Sequence, residues 1–148
     1  MSELRDLYQE VILDHNRQPR NCYVMDCANR TADGHNPLCG DTVKVYLRIE
    51  DGIIEEISFQ GSGCAICTAS TSLMTESVKG KRVEDVRHLF DGFHHMLTGV
   101  AAEQGLELGK LRVFEGVREY PVRVKCATLS WHAMRSALEG SGETAKTE

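Results

Sequence analysis

From Val43 to Phe59 the chain alternates apolar and polar residues so regularly that little besides a β-hairpin can satisfy it. Val43, Val45, Leu47 and Ile49 alternate with Lys44, Tyr46, Arg48 and Glu50, and Ile53, Ile57 and Phe59 give the following run the same odd-numbered apolar face. Pairing Ile49 with Ile53, Val45 with Ile57 and Val43 with Phe59 leaves Glu50-Asp51-Gly52 as the loop, with Gly52 in the left-handed conformation. A two-residue turn would set apolar positions opposite polar ones. One face of such a hairpin must be covered, and the rest of the chain supplies helices to do it.

Leu4, Leu7, Tyr8 and Val11 recur at helical spacing after Ser2, so the first dozen or so residues read as an amphipathic helix that Pro19 closes. Tyr23 to Thr31 reads as a short edge strand. A helix starts at Cys64 with Ile66, Ala69, Leu73 and Ser77 on one face and Gly80 as its stop, and Val83, Val86, Phe90, Phe93 and Leu97 mark another around Gly92. Gly99 to Tyr120 reads as an excursion with one short helical turn near Leu108, Leu111 and Phe114. Pro121 precedes a brief extended piece, Cys126, Leu129, Ala133 and Ala137 form the stripe of a last helix, and the tail from about Gly140 is polar and frayed. The expected architecture is α+β: a small antiparallel three-stranded sheet with helices packed mainly on one face, as a single domain over residues 1–148.

With 148 residues, 41% of them hydrophobic, the chain suffices for one core. The net charge of −5 comes without any basic run, which excludes the electrostatic footprint of a nucleic-acid or anionic-membrane binder. The start lacks the apolar stretch of a signal peptide and nothing reaches the length of a membrane span, so a cytoplasmic protein is expected.

In a reducing compartment, six cysteines point to metal or thiol chemistry rather than to disulfides. Three sit in distinct settings. Cys39 lies in the turn-like Asn36-Pro37-Leu38-Cys39-Gly40-Asp41; Cys64 follows Gly61-Ser62-Gly63 at a helix start; Cys126 ends Pro121-Val122-Arg123-Val124-Lys125-Cys126. Helix N-termini are expected to favour thiolate at Cys64 and Cys126, and Asp41 adds a carboxylate across the flexible Gly40. The simplest reading is a Cys3Asp site of Cys39, Asp41, Cys64 and Cys126, whose donors suit zinc or iron. A purely structural zinc site usually takes paired ligands at short spacing; here they come singly from distant segments.

His15 with Pro19-Arg20-Asn21, then Asn36-Pro37 with Cys39-Gly40-Asp41, Gly61-Ser62-Gly63-Cys64 with Ala69-Ser70, Lys79-Gly80-Lys81, and Lys125-Cys126-Ala127-Thr128-Leu129-Ser130-Trp131 occur in order along nearly the whole chain. Together they resemble the IscU/SufU (NifU N-terminal) iron–sulfur cluster assembly family. The resemblance implies an α+β fold, metal binding by Cys39, Asp41, Cys64 and Cys126, and partnership with a pyridoxal-phosphate cysteine desulfurase and with downstream assembly proteins. Three departures bring the chain nearer the SufU-type branch: a longer excursion between Cys64 and Cys126, Lys125 where IscU-type members carry a histidine, and no Leu-Pro-Pro-Val-Lys motif. That branch implies a zinc-dependent sulfurtransferase-like protein whose Cys39 takes persulfide sulfur from the desulfurase, with Arg123 resembling a residue tied to desulfurase activation. The alternative is a scaffold on which an iron–sulfur cluster is built and transferred.

The remaining candidates have plainer readings. Cys67 is expected as a small core residue, Cys22 and Cys27 as incidental, and His88, His94, His95 and His132 as solvated. His15 serves packing or capping as readily as chemistry. A zinc-stabilised interaction module and a Cys64-Ala65-Ile66-Cys67 redox pair are the weaker readings of the cysteines.

Overall fold

The computed structural model describes residues 2–37, 40–98, 108–140 and 145–146. Helix α1 (Ser2–Arg17) is followed by strands β1 (Arg30–Asn36), β2 (Asp41–Glu50) and β3 (Ile53–Ser62), then by helices α2 (Ala65–Val78) and α3 (Val83–Thr98). A 3₁₀ run (Gly109–Glu119), helix α4 (Pro121–Glu139) and the two-residue strand β4 (Ala145–Lys146) complete the chain. The sheet order is β3-β2-β1-β4. Its first three strands are antiparallel, as expected, and β4 adds parallel to β1 opposite Gly34 and His35.

The hairpin forms, but in another register. Asp51 and Gly52, at φ 53° and 74°, make a two-residue turn, with Glu50 opposite Ile53 and Ile49 opposite Ile54. That is the pairing the alternation argued against, and the chain accommodates it with a β-bulge: Arg48 then pairs with Glu56, so Glu55 is the extra residue. The bulge resets the parity, leaving Leu47 opposite Ile57 and Val45 opposite Phe59, and making Ile54, rather than Ile53, the fully buried residue.

Strand β1 lies further along than the expected edge strand at 23–31. Its Asp33-Gly34-His35-Asn36 has turn-like composition, yet Gly34 is in the strand because α4 crosses there: a Cβ would stand 3.0 Å from Val43 and 3.1 Å from Leu129. Helix α4 also begins earlier than expected. Pro121 occupies its first turn, where the missing N–H costs nothing, so no extended piece precedes Cys126.

Helices α2 and α4 cover the sheet, α1 packs on α2, and α3 and the 3₁₀ run close the core around Trp131, which stacks on Phe93 at 4.5 Å. The small polar run in α2 permits its close approach to α4. Buried Ser70 donates to the Ala127 carbonyl at 2.6 Å and accepts the Trp131 indole N–H at 3.1 Å, so the Ser70 hydroxyl and the Trp131 indole are both satisfied in the core. The excursion holds more structure than expected, with Leu111, Val113, Phe114 and Val117 buried, while its 99–107 portion lies outside the described residues. Among the described residues no helix is long and apolar enough to cross a membrane.

Candidate metal centre

The start of β2, the start of α2 and the second turn of α4 meet at one end of the sheet. Asn36 pairs with Asp41 across the strands, and Gly40, just before β2, has φ 70°. Cys39 belongs to the β1–β2 connection but lies, with Leu38, outside the described residues. Asp41 opens β2 fully buried; Cys64 is the N-cap of α2 and half-buried; Cys126 is fully buried. One ligand atom from each of the three lies within 4.8 Å of the others.

The orientations are held by the backbone. Cys64 N–H donates to Asp41 Oδ1 at 2.8 Å, leaving Oδ2 4.0 Å from Cys64 Sγ. Cys67 N–H points at Cys64 Sγ from 3.4 Å, the capping bond of α2. Gly63 makes room for the carboxylate, since a Cβ there would stand 2.5 Å from Asp41 Oδ1.

Two sulfurs and a carboxylate around a tetrahedral ion lie about 3.5–4 Å apart when metal–sulfur and metal–oxygen bonds are roughly 2.3 and 2.0 Å. The spacing and the donor set therefore fit a bound metal or an iron–sulfur cluster. Ionised, the same groups would put three negative charges in a largely buried site, an arrangement that calls for a cation. The site opens to solvent on the Cys64 side.

Cys64 stands at a helix N-terminus as expected, but Cys126 does not. Cys126 is the sixth residue of α4, past its N-terminal turn, where Arg123 and Val124 N–H already donate to the Tyr120 carbonyl. Arg123 is exposed on the first turn of α4, and Lys125 is half-buried. Cys67 is core, and Cys22 and Cys27 are exposed outside the ligand group.

His15 is buried between α1 and α2, hydrogen-bonded through Nδ1 to Ser72 Oγ at 2.7 Å and with Nε2 3.4 Å from Glu76. Burial pushes its pKa down. His94 and His132 are not solvated as expected: both pack against Phe90, at 6.0 and 5.3 Å between ring centres, because α3 and α4 are in contact there. Burial, then the neighbouring His94 and Arg135, lower the pKa of His132. The structure adds Gly63 and Asn36 to the site. Gly63 stood in the sequence only as a helix opening and Asn36 only as part of a motif, since neither is a ligand type.

The NifU-like N terminal domain model matches residues 7–127, a span that closes one residue after Cys126. The chain belongs to the IscU/SufU (NifU N-terminal) iron–sulfur cluster assembly family. It is 36% identical over 137 residues to the zinc-dependent sulfurtransferase SufU of Bacillus subtilis, covering 93% of this chain and 92% of that protein. It is 37% identical over 141 residues to the iron–sulfur cluster assembly scaffold protein IscU of Streptococcus pyogenes, covering 95% and 88%. Among solved structures, the fold superposes with a TM-score of 0.83 and 32% identity on a protein of Fervidobacterium islandicum, provisionally described as a cluster assembly scaffold for the SUF system, over 87% of this chain and 94% of that one. As a family member with a Cys/Cys/Asp site, the chain fits scaffold or sulfur-handling roles.

Proposed function

We propose that this chain acts in the cytoplasm as a scaffold of iron–sulfur cluster assembly. Asp41, Cys64 and Cys126, joined by Cys39 of the adjoining connection, hold the nascent cluster as cargo, with sulfur supplied by a cysteine desulfurase and the product passed to downstream assembly proteins. One observation carries the reading: three soft and hard donors from separate elements converge within 4.8 Å at a site buried on two sides and open at Cys64. A carboxylate among thiolates is the weakest-held ligand for iron, which suits a cargo that must leave. Scaffold names among the relatives at 35% and 37% identity support it.

A second reading is favoured by Lys125 in place of a histidine, the long excursion and the similarity to the Bacillus subtilis sulfurtransferase. In it Cys39 is the sulfur acceptor, its thiolate attacking the terminal sulfur of the desulfurase persulfide and releasing the desulfurase thiolate, with Arg123 at the docking surface. Zinc, when bound by Asp41, Cys64, Cys126 and Cys39, keeps those thiols ionised.

Anaerobic incubation with a cysteine desulfurase and cysteine, with and without ferrous iron, separates the two. A visible-absorbing cluster formed with iron and lost in Cys126→Ser supports the scaffold. A persulfide on Cys39 without iron, and no cluster with it, replaces the scaffold by the relay.

A further inference from the structure

Each of the three gathered ligands has a hydrogen-bond donor aimed at it, and two of those donors are backbone N–H groups of the α2 N-terminus. The third is a side chain. Asn36, the last residue of β1, is fully buried and directs Nδ2 at Cys126 Sγ from 3.8 Å. Its place is fixed twice over, by strand pairing with Asp41 on one side and by the packing of α4 on β1 on the other.

A buried amide is costly to keep at the end of a strand, where an apolar residue would pack without desolvation. Cys126 also differs from Cys64 in lacking helix-terminal N–H groups, because it lies in the second turn of α4. We infer that Asn36 is a positioning residue of the metal centre: its amide N–H donates to the Cys126 thiolate, fixes the sulfur toward Asp41 and Cys64, and offsets the burial of its charge. The side-chain amide does at Cys126 what the α2 terminus does at Cys64. Donors of this outer kind commonly change metal affinity by roughly ten- to hundredfold when removed. Cys126 is thereby the anchored ligand of the set.

This inference rests on the centre binding a metal, and its first test needs no substitution. The protein is loaded with ¹¹³Cd, a spin-active soft cation, and labelled with ¹⁵N. Amide protons that donate to a metal-bound sulfur show through-bond coupling to cadmium, so the Asn36 side-chain amide is expected to show it. Zinc affinity by competition with a chromophoric chelator is then compared for wild type, Asn36→Leu, which keeps the branched shape without the amide, and Asn36→Ala. Loss of about ten- to hundredfold in both is expected, together with a shifted sulfur-to-cobalt charge-transfer band in the cobalt forms. Cadmium bound at Cys64 and Cys126 without coupling to Asn36, or zinc affinity unchanged in both variants, overturns the inference and leaves the metal centre standing. No cadmium at those cysteines overturns the centre, and the inference with it.

Discussion

Replacing Gly63 with alanine adds one carbon and should open the metal centre. Gly63 sits outside the left-handed region, so the backbone tolerates the substitution and the effect is purely steric. The new Cβ would lie 2.5 Å from Asp41 Oδ1, 3.1 Å from its Cγ and 3.2 Å from its Cβ. Carbon and oxygen do not approach so closely, and Asp41, fully buried, has no solvent to swing into. Either the carboxylate turns away and loses the 2.8 Å bond from Cys64 N–H, or the start of α2 shifts and takes Cys64 with it. A lost hydrogen bond to a charged group costs about 1.5–3 kcal/mol and overpacking about 1–3 kcal/mol. Together they come to roughly 2.5–6 kcal/mol, or a fall in Tm of about 5–25 °C in a domain of this size.

Both routes break the ligand group, so zinc affinity should fall by at least the ten- to hundredfold seen when supporting residues are removed. Competition with a chromophoric chelator and a thermal melt of the apoprotein measure the two effects. Gly116→Ala is the control, because nothing stands within 4 Å of its Cβ. The mechanism also predicts strong coupling. In an Asp41→Ala background the two closest atoms are gone, so Gly63→Ala should cost far less than in wild type. Wild-type affinity and Tm in Gly63→Ala, or additive effects in the double variant, would refute the steric argument.

Ser70→Ala should leave the Trp131 indole N–H unpaired in the core and destabilise by about 1–3 kcal/mol, read as a lower midpoint in urea with unchanged slope. Gly34→Val should cost at least as much through its collision with Val43 and Leu129, and should lower Tm without altering the metal's spectroscopic signature, since it touches no ligand. The pH dependence follows from His15, which faces Asp14, Arg20, Glu76 and Lys110, and from His132, which faces His94 and Arg135. Both pKa values are lowered by folding, so the unfolded chain binds protons more tightly; stability is full above the ordinary imidazole value of 6.5 and declines as pH falls below it. Apoprotein melts at pH 7.5 and 5.5 should show the loss, and the double variant His15→Gln, His132→Gln should flatten it.

The parts of this molecule legible in the sequence are those where side-chain chemistry and periodicity agree. Val43 to Phe59 could be nothing but a hairpin, and Val83 to Leu97 nothing but an amphipathic helix; Asp41, Cys64 and Cys126 declared themselves because thiols and a carboxylate are ligand types wherever they stand. What stayed hidden depended on the partner surface. Alternation correctly showed that a two-residue turn gives mismatched pairs, yet it could not show that a single bulged residue, Glu55, would repair them, because a bulge has no composition of its own. Strand β1 was missed for a related reason. Gly34 and Asn36 look like turn residues until α4 is laid over them, after which the glycine is the only residue that fits and the asparagine has a thiol to meet. Gly63 shows the same logic at the centre itself, where the missing side chain is the space Asp41 occupies. In this fold the ligands can be read from the chain one at a time, but the residues that hold them in place acquire their roles only when β1, α2 and α4 come together.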